Sequence, residues 1–160
     1  MKRPAIPPPP HEGGCLCGAV RYRLNARPLA VNACHCSACK KLTGATNLLM
    51  ILASREAFAH QGATESYRRL APSGREIDIV RCAKCGVRMW HEPLSAPQLV
   101  FVAVGTLDDP SWAIPTSHIF VSGASPGVVF QDDALILDEG PTDRNILLDA
   151  FNRLYPSSTA

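Results

Sequence analysis

Apolar and polar residues alternate cleanly over Ala19–Leu24 (AVRYRL), with Val20, Tyr22 and Leu24 on one side and Arg21 and Arg23 on the other. That period of two predicts a half-buried strand. Leu48–Ala53 (LLMILA) is a short unbroken apolar run and reads as a strand buried on both faces. Ser66–Leu70 and Glu76–Arg81 flank Pro72-Ser73-Gly74 and predict a hairpin. Leu99–Val104, His118–Ser122 and Gly127–Phe130 are further strand candidates. Helical spacing occurs near the C-terminus, where Ile146, Leu147, Ala150, Phe151 and Leu154 follow a cap at Thr142 and an acidic Asp143, and Pro156 stops the run. This helix is expected to cover the sheet or to meet a partner in a homodimer. The fold class is therefore mainly β, short strands with a C-terminal helix, punctuated by 14 prolines and 11 glycines.

The cysteines supply the chemistry. Cys34, Cys36 and Cys39 lie within NACHCSACKK at C-x-C-x-x-C spacing. A tetrahedral zinc ion with Zn–S near ~2.3 Å holds its sulfurs roughly 3.8 Å apart. Residues i and i+2 of an extended segment point to one side, so a slight bend brings Cys34 and Cys36 onto one ion and the following turn can deliver Cys39. Elsewhere Cys15 and Cys17 form a C-x-C pair in GGCLCGAV, and Cys82 and Cys85 form a C-x-x-C pair followed by Gly86. Two pairs make a closed four-thiolate structural site. The total of seven cysteines then divides into one saturated site and one with a vacancy, and a three-ligand zinc with an open position is the catalytic pattern. A distant His or Asp closing the second site remains the alternative. Disulfides fit poorly, since a bridge across C-x-C is strained and an odd count leaves a thiol over.

Composition changes the picture in two respects. The length of 160 residues and hydrophobic content of 46% suit one globular domain, with no apolar run approaching a membrane span. The formal net charge of +2 loses seven charges to thiolates and regains four from two zinc ions, ending near −1. Neither nucleic acid nor membrane is indicated as a partner. Residues 1–10 (MKRPAIPPPP) are expected to be a disordered proline-rich tail, with a single domain over 11–160. The tail has two basic residues but no apolar core of a signal peptide, so a reducing, cytoplasmic location is expected.

GGCLCGAVRY, CHCSACKKLTGA, RCAKCG and GTLDDP with its following P-x-x-HI together resemble the GFA family, the glutathione-dependent formaldehyde-activating enzymes, from about Gly13 to Phe120. The resemblance implies a zinc-bound, mainly β fold of the β-tent kind. It implies a structural zinc on Cys15, Cys17, Cys82 and Cys85, and a catalytic zinc on Cys34, Cys36 and Cys39. It also implies a carbon–sulfur lyase activity joining a small thiol such as glutathione to formaldehyde as S-hydroxymethylglutathione. Where many relatives carry an A-P-W stretch this chain has Ala124-Ser125-Pro126-Gly127, so an aromatic wall of the pocket is either missing or supplied by Trp112 or Phe130. Some relatives of the fold instead bind a protein or chromatin partner, which leaves a non-catalytic zinc module as the alternative function.

The remaining candidates are weaker. His35 should point away from its neighbouring ligands by alternation. Lys40 and Lys41 could meet glutathione's carboxylates but read more simply as a solvated basic pair. His91 and His118 are candidates for a general acid or a fourth ligand, against the plainer role of hydrogen-bonded histidines. Asp108 and Asp109, adjacent on a turn into Pro110, should diverge and cap rather than act as paired carboxylates. No P-loop, dinucleotide fingerprint or G-x-S-x-G occurs.

Overall fold

The structure, a computed structural model, describes residues 3–156. Among the described residues eleven strands form two sheets. The smaller is antiparallel, with β1 (His11–Gly14), β2 (Arg21–Leu24) and β5 (Phe58–Gln61) in the order β1-β2-β5. The larger sheet uses β3 (Ala30–Cys34), β4 (Leu48–Ser54), β6 (Thr64–Leu70), β7 (Glu76–Cys82), β8 (Arg88–Pro93), β9 (Leu99–Ala103), β10 (Ser117–Ile119) and β11 (Leu135–Ile136). Its order is β11-β10-β3-β4-β9-β8-β7-β6, parallel at β10 with both neighbours and antiparallel elsewhere. The α-helices among the described residues are α1 (Ser37–Thr43) and α2 (Asn145–Leu154).

The register assigns the two faces of the large sheet to different tasks. Ile51 lies opposite Val102, Val102 opposite Trp90, and Trp90 opposite Val80. Because side chains directly opposite share a face, these four form one apolar layer, and all are buried. The small sheet packs onto it: the Phe58 ring meets Trp90 at 4.9 Å and Tyr22 meets Trp90 edge-on at 6.4 Å. The Trp90 indole N–H donates to Glu92 at 3.0 Å, so the buried ring leaves no polar atom unpaired. On the opposite face the register aligns Asn32 with Met50, Leu52 with Phe101, Phe101 with His91, and Ile79 with His91. This second face carries the functional site.

Most predicted strands are present. The hairpin about Pro72-Ser73-Gly74 appears as β6 and β7, with Leu70 opposite Glu76. Gly74 takes a φ of 74°, in the region that favours glycine. Three expectations are corrected. Gly127–Phe130 is not a strand but turn and coil. The strand expected over His118–Ser122 ends at Ile119, because Phe120 turns into the left-handed region at φ 57° and a short 3-10 turn follows. The C-terminal helix begins at Asn145 rather than beside Thr142: its N-cap is Arg144, and the Asn145 backbone N–H donates to the Asp143 carboxylate at 2.9 Å. Leu147, Ala150 and Phe151 are its buried stripe, packed against β3 and β10.

Residues 3–10, expected to lie outside the fold, run along it. The Arg3 guanidinium pairs with Asp133 at 2.6 Å and donates to the Ile114 and Pro115 carbonyls at 3.2 and 3.0 Å. Ile6 packs against the core. Paired charge and buried apolar area fix a segment whose composition alone suggests a solvated coil. Met1 and Lys2 of that tail lie outside the described residues. Among the described residues no helix is long and apolar enough to cross a membrane.

Trp90 joins both sheets, so Trp90→Ala should cost about 3–5 kcal/mol of stability, read as a lower urea midpoint at unchanged m-value. A loss below about 1 kcal/mol would mean that the inter-sheet layer closes around the gap.

Candidate functional site

Two knuckles build the first cysteine cluster. Cys15 and Cys17 sit in the β1–β2 connection, where the Gly18 N–H donates to the Cys15 carbonyl at 3.1 Å and the Val20 N–H donates to Cys15 Sγ at 3.2 Å. Cys82 ends β7 and Cys85 lies in the turn into β8, where the Gly86 N–H donates to the Cys82 carbonyl at 2.9 Å. The glycine that follows each pair has φ 74°, which reverses the chain directly behind the sulfurs. Cys15 Sγ lies 3.5 Å from Cys17 Sγ, which lies 3.9 Å from Cys82 Sγ. All four sulfurs fall within 4.8 Å of one another. These separations match the ~3.8 Å edge of a zinc tetrathiolate, and a tetrahedral cation fits the donor set. The cluster ties the small sheet to the β7–β8 end of the large one.

The second cluster grows from the end of β3. Cys34 is its last residue, Cys36 is the N-cap of α1, and Cys39 lies in the first helical turn. The Cys39 backbone N–H donates to Cys36 Sγ at 3.4 Å, and Gly44 closes the helix at φ 65°. The segment expected to be a plain turn is thus a two-turn helix. Its three sulfurs are buried and lie within 4.8 Å of one another, and among the described residues no histidine nitrogen or carboxylate oxygen completes the group. All seven cysteines are thiols.

Without a cation this trio is electrostatically frustrated. Contacts with Cys36 and then Cys39, together with burial, push the Cys34 thiol far above its ordinary range. Cys36, accepting from Cys34 and Cys39, is pulled well below it. One sulfur can carry charge while the others keep their protons. Three thiolates at this spacing require a bound cation, so the donor set fits a soft or borderline metal ion with one position unfilled by protein.

The trio lies at the bottom of a cavity of about 320 Å³. Its floor is the second face of the large sheet, including Asn32, Met50, Leu52, Phe101 and His91. Its walls come from the β6–β7 hairpin tip, the 139–141 loop and α2. Phe120 supplies an aromatic wall in its left-handed conformation. Gly140 makes room for it: a Cβ there would stand 2.8 Å from the Phe120 ring. The expectation that Trp112 or Phe130 serves as this wall is corrected. Trp112 packs on His11 at 4.8 Å, and Phe130 packs edge-on against His35 and His118.

His35 points away from the trio, as alternation requires, and its Nε2 lies 2.9 Å from His118 Nδ1. His118 Nε2 in turn lies 2.7 Å from Gln131 Oε1. Both histidines are buried structural partners, neither lines the cavity, and burial lowers the pKa of each. His91 does line the cavity. Its Nε2 lies 3.3 Å from Arg88 Nη1. A guanidinium only donates, so Nε2 accepts and the proton resides on Nδ1. Burial first, then the charges of Arg88 and Arg69, push the His91 pKa down to about 3. Lys40 donates to the Gly123 carbonyl at 2.7 Å and is absent from the cavity lining. Asp108 pairs with Arg21 while Asp109 accepts from the Ser111 N–H at 3.0 Å, so the two carboxylates diverge.

Sequence reasoning missed Arg69, Arg75 and Arg144, which all line the cavity. One signal existed. The hairpin register sets Arg69 opposite the buried Ile77, a cation on an inward-facing position. Arg75 sits at the hairpin tip and Arg144 caps α2, and nothing local in sequence links them.

Comparison with known proteins places the chain in a family. Residues 10–123 match the family described as glutathione-dependent formaldehyde-activating enzyme. A Halomonas elongata protein provisionally named for that activity is 27% identical over 108 residues, 61% of this chain. The match spans 65% of that relative's own length. A Rhodobacter sphaeroides crystal structure aligns at TM-score 0.49 and 18% identity, covering 79% of this chain and 98% of that one. Fold and site define a mainly β protein of two sheets with two cysteine clusters of metal-site geometry. With more than half of its length matched, the chain belongs to the glutathione-dependent formaldehyde-activating enzyme (GFA) family.

The depressed His91 pKa has a stability consequence. The folded state holds this proton more weakly than the unfolded chain, so stability present above pH 6.5 is lost as the pH falls toward about 3. His91→Gln should therefore show a shallower acid decline than the parent, by up to about 1.4 kcal/mol per pH unit in that window. Parallel urea midpoints of the two proteins from pH 6.5 to 4 would remove this account.

Proposed function

We propose that the protein is a zinc-dependent carbon–sulfur lyase of the GFA type, acting on the adduct of a small thiol, glutathione or similar, with formaldehyde. One observation carries the reading: three buried sulfurs lie within 4.8 Å at the bottom of a ligand-sized cavity, with no fourth protein donor among the described residues. Cys15, Cys17, Cys82 and Cys85 would hold a structural ion, and Cys34, Cys36 and Cys39 a second. When bound, zinc in the second site supplies an open coordination position and lowers the pKa of a thiol entering it.

The chain's own residues do the rest. Met50, Leu52 and Phe101 in the floor and Phe120 in the wall keep the lining apolar and exclude water from the sulfur end. His91 offers a neutral N–H at Nδ1 on the cavity wall. In the synthetic direction a carbon–sulfur bond forms between the thiol sulfur and the aldehyde carbon, and the thiol proton ends on the former carbonyl oxygen. In the lyase direction both transfers reverse. The alternative of a non-catalytic module for a protein partner differs in one respect: its second cluster would be structural as well.

Two substitutions separate these readings. A structural zinc contributes on the order of 10–16 kcal/mol, against total domain stabilities of about 5–15 kcal/mol. Cys82→Ser should accordingly unfold the chain. Cys39→Ala should leave it folded by circular dichroism, one metal equivalent poorer, and unable to shift the visible spectrum of the cobalt-substituted protein when thiol is added. Collapse of Cys39→Ala would favour the binding-module reading.

A further inference from the structure

We infer that Arg75 and Arg144 at the rim of the cavity, with Arg69 deeper in the hairpin wall, form an anion-recognition subsite that grips the carboxylates of an amino-acid-type thiol while its sulfur reaches the trio. This deepens, and rests on, the thiol reading given above.

Pairing taken together with position sets these arginines apart. Arg3, Arg21, Arg23, Arg55, Arg68 and Arg81 each have a carboxylate within 4.0 Å. Arg69, Arg75 and Arg144 line one cavity and form no ion pair among the described residues. Arg27, Arg88 and Arg153 likewise form no ion pair among the described residues, but they do not line the cavity. Neighbouring positions on the same strand show the contrast: Arg68 faces out and binds Asp78 through two bonds of 2.8 and 2.9 Å, whereas Arg69 faces in and gives one bond, from Nη1 to its neighbour Leu70's carbonyl.

Arg144 is half-buried, and among the described residues its guanidinium makes one hydrogen bond, a 3.5 Å approach to Ser95 Oγ. Burial, followed by the positive charge of Arg75, lowers its hold on its proton. Two like charges facing one another at a cavity mouth are unfavourable until an anion sits between them. A guanidinium fork matches a carboxylate with two parallel bonds, which makes a carboxylate the natural occupant.

Glu76 and Glu139 also line the cavity, and Glu139 accepts from Ser122 Oγ at 3.2 Å. Neither neutralises an arginine, and both suit an ammonium group. The wall therefore complements a zwitterionic tail better than a uniformly anionic one such as a phosphate. Arg144 lies beyond the family-matched residues 10–123, so part of this recognition belongs to the chain's own C-terminal segment.

Titration calorimetry on the zinc-loaded full chain tests the subsite with three thiols: glutathione, its diethyl ester, which keeps the thiol and ammonium but masks both carboxylates, and 2-mercaptoethanol. Glutathione should bind about tenfold or more tightly than its ester. Arg75→Gln and Arg144→Gln should each abolish most of that advantage while leaving the ester and 2-mercaptoethanol affinities unchanged. Equal affinity for acid and ester, or a loss shared by all three thiols, would overturn the subsite and leave the thiol-binding reading standing. If none of the three binds the parent protein, the thiol reading fails and the subsite fails with it.

Discussion

The structure turns on a sheet that is buried on both faces yet filled on only one. Ile51, Val102, Trp90 and Val80 pack solidly beneath the small sheet. The opposite face, from Asn32 across Phe101 to His91, stays partly open over the cysteine trio. A one-residue slip of β8 would turn His91 into the apolar layer, and a slip of β3 would do the same to Asn32. The desolvation cost of buried polar groups thus fixes the register, and the register fixes the cavity. Stability and site geometry follow from the same pairing.

The four-cysteine cluster complements that arrangement. Its cysteines come from the β1–β2 connection of the small sheet and the β7–β8 turn of the large one, so a cation held there would join the two sheets. Cys17 is exposed and Cys85 half-buried there, and two such thiols contribute little apolar burial. The trio differs on each count: all three sulfurs are buried, they come from one continuous segment, and the space beside them is cavity rather than protein. A closed site stabilises a junction, whereas an open one forfeits a ligand to keep access.

Both clusters were legible in the sequence because metal ligation imposes short, fixed spacings that no other demand on the chain mimics. The β6–β7 hairpin was legible for a similar reason, two alternating segments around a Pro-Ser-Gly turn. Strand β3 was not, because all five residues Ala30–Cys34 are buried and period-two alternation disappears. Strand β8, with Met89, Trp90 and His91 buried in succession, is obscured in the same way. Helix α1 is too short to show helical spacing, and its boundaries are set by the trio itself, with Cys36 as its cap. The cavity wall was the least legible part: Arg69 and Arg144 stand 75 positions apart in the chain and meet only through the fold.

The placement of charge differs between the two ends of the cavity. At the floor, Cys34 and Cys36 show that three thiols this close cannot ionise together without a cation, so the sulfur end is built around positive charge that the chain does not itself supply in contact. Arginines packed directly onto the sulfurs would satisfy that need internally and remove the reason to bind metal. Arg75 and Arg144 stand instead at the rim, and the inward Arg69 gives its one bond to a backbone carbonyl rather than to a sulfur. A ligand with its thiol at one end and its carboxylates at the other meets a demand at each end of the cavity, whereas a bare thiol meets only the first. On the proposed thiol reading, discrimination between such ligands would arise from the separation between the trio and the rim arginines, a quantity set by sheet register and helix placement rather than by any single motif.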